Sequence, residues 1–217
     1  MLNDEIYELA RRKQPRILCL TGKTSTGKST LSDRLAAACK YEVVKLDKIV
    51  GDTIVDPFGL QSSRGDVFVS VYKTADRTDW IKLFTLETQK RIKTLLGQGK
   101  KVIIDGAIAN PVVVRSIFDG LPDVLLVYMH PTLTSTAYRR NLTNRFLGTT
   151  AQNPNSLPKA FWEHIDQDCF QQFCQNRIMS APLEKGIDQY AAHSSQESAK
   201  RLQILQEYFP DIIVVNV

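Results

Sequence analysis

No apolar run in the 217 residues approaches the roughly 20 needed to cross a bilayer as a helix, which excludes a helical span. The first residues, Met1-Leu2-Asn3-Asp4-Glu5, place acid before any apolar stretch. Neither a secretory signal nor an organelle transit peptide is expected there. Cysteine is scarce: Cys19, Cys39, Cys169 and Cys174 form no C-x-x-C pair, so neither a zinc site nor a redox motif is expected. Free thiols and a cytoplasmic location are the simplest reading. His130, His164 and His193 are scattered, and none is assigned to a metal or to catalysis. The chain has no internal repeat and no low-complexity tract. It has no run of five basic residues and no basic stretch interleaved with aromatics, so no dedicated nucleic-acid arm is visible.

What remains is ordinary in bulk. Hydrophobic residues make up 43% and charged residues 24%, enough for one globular domain with a full core, or a domain with an inserted lid. The formal charge is +5. An excess of this sign suits an enzyme whose substrates are polyanions. Phosphorylated small molecules are favoured over nucleic acid as partners, with nucleic acid not excluded.

The informative segment is Gly22-Lys23-Thr24-Ser25-Thr26-Gly27-Lys28-Ser29-Thr30. It contains G-x-x-x-x-G-K-[ST], the phosphate-binding P-loop. Its glycines let the backbone curl around an anion, with successive N–H groups pointing inward as a nest. Lys28 can reach the β- and γ-phosphates of a nucleotide, and the Ser29 hydroxyl can hold Mg²⁺. The flanks fit as well. Residues 16–21 form a short apolar run of strand type, and Leu31, Leu35 and Ala38 follow at helical spacing. Strand, glycine loop and helix put a phosphate on a helix N-terminus.

Further strands are expected at 42–46, 101–106, 123–129 and 211–216. Helices are expected at 4–13, from the P-loop to about 39, at 78–96, 111–118, 132 to about 146, 161–179 and 195–208. Residues 56–66 carry turn chemistry, 148–158 read as a polar loop and 180–194 are weakly patterned. Most strand candidates are nearly continuous apolar runs alternating with helices, which predicts an α/β fold with a parallel sheet covered on both faces. The chain is expected to be a single domain over 1–217, with a core at 14–147 and 195–217. Residues 148–194 are a candidate lid or a static helical excursion.

In open parallel sheets ligands bind beyond the carboxyl ends of the strands. Strand two ends at Asp47 and strand three at Asp105-Gly106, so two carboxylates should stand near the P-loop. Asp47 can activate or align an acceptor hydroxyl, or simply cap a helix. Asp105 can hold Mg²⁺ with Ser29, or serve as the first residue of an Asp-Gly turn. Arg139, Arg140 and Arg145 follow strand four. Arginine forks match phosphate oxygens, and Arg140 with Arg145 is the preferred pair over the transferring group. Otherwise these arginines form a solvated helix face. Arg64 and Arg77, between strand two and the long helix, are candidates for binding an anionic acceptor, or are ordinary surface charge.

On these residues the chain resembles the P-loop kinases of the nucleoside and nucleotide kinase-like group. The resemblance rests on Gly22 to Ser29, Asp47, Val102-Ile103-Ile104-Asp105-Gly106 and the arginines after the fourth strand, over roughly residues 16–146, with a last strand at 211–216. It implies a three-layer αβα fold, a five-stranded parallel sheet of order 2-3-1-4-5, Mg-ATP as phosphoryl donor and a lid carrying catalytic arginines. The Leu46-Asp47 ending is similar to kinases of hydroxyl acceptors, among them the uridine, nicotinamide riboside and shikimate kinases and the chloramphenicol phosphotransferases. The chain has no adenylate-kinase lid signature, and Lys45-Leu46-Asp47 lacks the second acid of the shikimate kinases. The expected function is transfer of the γ-phosphoryl of ATP to a hydroxyl of a small molecule. The alternatives are a nucleoside monophosphate kinase, a kinase of RNA 5′-hydroxyl ends, and a nucleotide-dependent regulatory or nucleic-acid-binding NTPase.

Overall fold

Period-two alternation sorts the apolar strands onto two cores. Ile17 and Cys19 face one side of the sheet while Leu18 and Leu20 face the other. Val102 and Ile104 oppose Ile103, and Leu126 and Tyr128 oppose Val127 and Met129. The computed structural model describes residues 2–132, 135–150 and 159–217. Strands β1 (Ile17–Gly22), β2 (Tyr41–Lys45), β3 (Lys101–Asp105), β4 (Val124–His130) and β5 (Ile213–Asn216) form one sheet of order β2-β3-β1-β4-β5. Every neighbouring pair is parallel, so all the strands end at the same edge.

Helices α1 (Leu2–Lys13) and α2 (Lys28–Cys39) cover one face through Ile6, Ala10, Leu31 and Leu35. The other face carries α3 (Leu46–Val50), a π turn (Gly51–Val55), a 3₁₀ turn (Gln61–Ser63), α4 (Arg64–Val69), a second π turn (Ser70–Thr74), α5 (Thr78–Gly97) and α6 (Pro111–Phe118). Their buried side chains include Ile49, Val67, Tyr72, Phe84 and Val113. Three layers result, αβα, with the sheet in the middle.

After β4 come α7 (Thr136–Thr150), α8 (Lys159–Trp162), α9 (Gln167–Asn176) and α10 (Ala181–Tyr208). They enclose a third core of their own, with Tyr138, Leu142, Phe161, Phe170, Leu183 and Ile187 among its buried residues. The Phe161 ring meets Trp162, Phe170 and Tyr190 edge-on at 4.9, 5.3 and 5.5 Å, the geometry aromatic quadrupoles prefer.

The sequence and the structure differ here in three places. Helix α7 continues to Thr150, past the expected end near 146; residues 151–158 of the expected polar loop lie outside the described residues. The helical stretch expected at 161–179 is two helices, because the Asp166 carboxylate accepts from the Cys169 amide at 2.9 Å and starts α9 afresh. Residues 181–194, weakly patterned in sequence, are the first half of α10, with Ser180 as N-cap and a proline in its first turn. Helix α10 runs unbroken past residue 195, so the candidate lid region and the sheet core share one helix. Among the described residues no helix is long and apolar enough to cross a membrane.

Candidate active site

The P-loop is built by a forced close approach. Gly22 is the last residue of β1 and pairs in register with Met129 of β4. A Cβ at Gly22 would press into the Met129 carbonyl, and its φ is +127°, so only glycine fits. The chain then turns through Lys23 to Thr26, where the Thr26 hydroxyl donates to the Lys23 carbonyl at 2.8 Å. Gly27, left-handed at φ 89°, opens α2, and no side chain caps that N-terminus. Lys28 is buried. Its ammonium donates to the carbonyls of Gly22 at 3.1 Å and Lys23 at 2.5 Å and to Thr26 Oγ1 at 3.4 Å. Burial pushes its pKa down to about 8, with Asp105 and Asp47 opposing and Arg145 adding to the fall.

Two features test whether this loop suits a nucleotide phosphate. The Ser25 hydroxyl is buried and has no hydrogen-bond partner among the described residues, and a polar group so placed usually marks a site for a ligand or water. The uncapped start of α2 offers backbone donors and a positive dipole end. Both point into the loop's chemistry, and the fit is good.

Asp105 ends β3, buried, and Ser29 is exposed on the first turn of α2. Ser32 links them. Its hydroxyl lies 2.9 Å from the Ser29 carbonyl and 3.3 Å from Asp105 Oδ2, so one proton is shared between two acceptors. Hydroxyl and carboxylate oxygens are the hard donors Mg²⁺ takes. Among the described residues no three His, Cys, Asp or Glu gather into a metal cage. A cation here would therefore complete its shell from phosphate and water, the usual arrangement for Mg²⁺.

Asp47 sits in the first turn of α3, directly after β2. Gly106 brings it to the site: a Cβ there would lie 2.6 to 3.0 Å from Leu46 side-chain atoms, so the glycine lets the ends of β2 and β3 close together. Tyr72, buried between Phe68 and Phe84 at ring distances of 5.5 and 5.6 Å, donates its hydroxyl to Asp47 Oδ1 at 3.1 Å. Asp47 is open to solvent, but protein walls surround it. That desolvation raises its pKa, Asp105 adds to the rise, and Tyr72, Lys28 and Arg145 oppose it. The desolvated Tyr72 hydroxyl, beside Asp47, is held well above its ordinary pKa; it stays protonated and acts as a donor.

The two preferred arginines separate. The Asn141 amide donates to the Ser25 carbonyl at 3.3 Å, which ties α7 to the P-loop. Arg145 lies four residues on, on the same helix face, and its charge is felt at both Lys28 and Asp47. Arg140 instead lines a groove with Thr136, Thr143, Met179 and Glu184, and Arg139 pairs with Asp188 at 2.5 Å. Arg64 is exposed at the start of α4, 5.6 Å from the Phe68 ring centre, and its charge reaches Tyr72. Arg77 is held elsewhere: it forms a two-pronged pair with Asp79 at 2.7 and 3.1 Å and stacks 3.7 Å above Trp80.

Lys28, Asp47, Asp105, Ser29 and Arg145 thus gather at the sheet's carboxyl edge, with Arg64 at its margin. Arg140 and Arg77 do not join them. Tyr72, Ser32 and Asn141 belong to the site and carry no sequence motif.

This fold and loop define a P-loop nucleotide-binding protein. The AAA domain family matches residues 17–167, and the chain belongs to that family. No curated protein sequence matches it. Among solved structures it is similar to a gluconokinase from Sinorhizobium meliloti 1021, at 16% identity over 88% of this chain and 97% of that one, with a TM-score of 0.41. It is also similar to a tRNA isopentenylpyrophosphate transferase from Bacillus halodurans, at 9% identity over 92% and 89%, TM-score 0.42. A third is the dephospho-CoA kinase from Campylobacter jejuni, at 11% identity over 93% and 88%, TM-score 0.35.

Proposed function

We propose that this protein transfers the γ-phosphoryl group of ATP to a hydroxyl of a small-molecule acceptor. The observation that carries this reading is the Asp47 carboxylate, oriented by Tyr72 at 3.1 Å and placed within electrostatic reach of Lys28, Asp105 and Arg145. A nucleotide-binding loop alone needs no such group. A hydroxyl nucleophile needs one to align it and to take its proton. The raised pKa of Asp47 makes it a better proton acceptor than a surface carboxylate.

Each residue then has a part. The P-loop backbone, the Ser25 hydroxyl and Lys28 bind the donor phosphates. Ser29 and Asp105 would hold Mg²⁺, which when bound neutralises charge across the phosphates. Asp47 accepts the acceptor's proton while the acceptor oxygen bonds to the γ-phosphorus and the bond to the β–γ bridging oxygen breaks. Arg145 offsets charge on the transferring group, and Arg64 stands at the acceptor side.

The test is single-turnover ATP consumption with Mg²⁺ against pools of alcohols and of nucleoside monophosphates, with Lys28→Ala as the blank. Asp47→Asn should keep nucleotide affinity and lose about 10²- to 10⁴-fold in turnover. Near-normal turnover of Asp47→Asn would remove its role as base and favour a phosphate acceptor. ATP binding that no pool accelerates would point to a nucleotide-dependent regulatory protein.

A further inference from the structure

A second set of charges lies at the same edge of the sheet, on the face that carries Tyr72. Lys23 comes from the P-loop, Lys73 from the π turn Ser70–Thr74, and Arg201 from α10. Each of the two lysines feels the positive charge of Arg201, and Lys23 also feels that of Lys73. Among the described residues the one carboxylate they feel is Glu197. It is already engaged, by Arg201 at 3.4 Å and Lys200 at 3.9 Å. Among the described residues neither Lys23 nor Lys73 forms an ion pair.

The scaffold under this set is fixed. The Lys23 carbonyl accepts from Lys28 and Thr26; Thr21, two residues earlier, donates its hydroxyl to the Ile108 carbonyl and pairs in register with Tyr128, whose hydroxyl meets Ser198 of α10 at 3.0 Å. The neighbouring Tyr72 carbonyl accepts from the amides of Ala109 and Asn110 at 3.1 and 3.0 Å, and the Asn110 side chain donates to the Lys73 carbonyl at 3.3 Å. Lys73 thus follows directly on Tyr72, the residue that orients Asp47. Like charges gathered on a rigid frame repel one another, which costs stability unless an anion offsets them.

We infer that Lys23, Lys73 and Arg201 form an anion subsite, separate from the nucleotide cradle, that takes a phosphate or carboxylate group on the acceptor. This rests on the kinase reading above and narrows it: the acceptor is an alcohol that also carries an anion. The anion would sit on the α10 side of Asp47 and present the hydroxyl to the carboxylate. Burial, then Arg201 and Lys73, push the Lys23 pKa down to about 7, so an incoming anion would also restore charge to that lysine.

The experiment uses the full chain with the non-hydrolysable β,γ-methylene analogue of ATP and Mg²⁺ held at saturation, so that the γ-phosphate position of the cradle is filled as well. Inorganic phosphate and acetate are then titrated by calorimetry into the wild type, Lys73→Gln and Lys73→Gln/Arg201→Gln, with near-ultraviolet circular dichroism as a check on folding. The expected result is one saturable phosphate site, weakened at least tenfold by Lys73→Gln and further by the double variant, with affinity for the ATP analogue unchanged. Acetate binding under the same dependence would identify a carboxylate-bearing acceptor, and binding of phosphate alone a phosphorylated one. No saturable site for either anion, or a site that Lys73→Gln leaves unchanged, overturns the subsite. Failure of the kinase reading looks different: anions bind as expected, but no alcohol accelerates ATP loss.

Discussion

Two groups of charge share one edge of the sheet and are built on opposite plans. Lys28, Arg145, Asp47 and Asp105 alternate in sign, and three of the four are tied down: Lys28 by the loop carbonyls, Asp47 by Tyr72 and Asp105 by Ser32. Lys23, Lys73 and Arg201 share one sign, and the one carboxylate they feel among the described residues is already paired. The first group is balanced before any ligand arrives, as a site must be if it is to act on charge that develops during a reaction. The second is unbalanced and gains only when an anion binds. One arrangement suits chemistry and the other suits recognition.

The comparison breaks most easily at α7, where neighbouring arginines differ in setting. Arg145 reaches Lys28 and Asp47; Arg140 faces the groove beside Met179 and Glu184. If the balanced group is the reacting one, Arg145→Gln should lower single-turnover phosphoryl transfer by up to about 10³-fold, the scale of an arginine acting on a transferring phosphoryl. Arg140→Gln should change it less than about threefold, like other exposed charges. Equal losses in the two variants would show that α7 acts as a whole and that Arg145 has no special place.

A smaller effect is expected at Gly106, which has no side chain to offer a ligand. Its added methyl would push on Leu46, at a cost of about 1–3 kcal/mol for an overpacked site. Because Leu46 immediately precedes Asp47, turnover of Gly106→Ala should fall by up to about 10²-fold, the scale of a misplaced catalytic group. Phosphate affinity at Lys73 and Arg201 should hold. Thermal melting and single-turnover rates on the same sample separate the two effects. Loss of both sites together would mean that the two groups are one structural unit.

The sequence announced the balanced group far better than the unbalanced one. Gly22 to Ser29 is a contiguous motif, and Asp47 and Asp105 stand directly after apolar runs, so strand geometry places them. The central strands β1, β3 and β4 were legible for the same reason: burial on both sides leaves a continuous apolar run. Tyr72, Ser32 and Asn141 act through partners 25, 73 and 116 residues away, and no local pattern encodes such distances. Arg145 and Arg140 could not be told apart without knowing that Asn141 fixes the roll of α7. The start of α10 was obscured because the helix changes partners. Leu183, Ile187 and Ala191 face the third core, while Leu205 faces the sheet, so no single apolar stripe runs its length. The Ser180-Ala181-Pro182 start was the signal available there.

The smallest effect, and the sharpest separation, should come from pH. Lys28 faces Asp105, Asp47 and Arg145, and its pKa is pushed down to about 8. Lys23 faces Arg201, Lys73 and Glu197, and its pKa is pushed down to about 7. Phosphates and other anions bind the ammonium form, so binding raises each pKa. Below the free-state pKa the lysine is already charged and affinity is flat. Above it a proton must be taken up, and affinity falls by up to about tenfold per pH unit until the bound-state pKa is reached. ADP affinity should therefore hold to about pH 8 and then decline. Sulfate, whose charge is constant over this range, should bind the second group progressively less from about pH 7 when the β,γ-methylene analogue of ATP fills the first. Titrations from pH 6 to pH 9 at constant ionic strength check both. Coincident breaks would mean that a single lysine governs the two anions, whereas a sulfate break below the ADP break would assign each anion to its own group of charges.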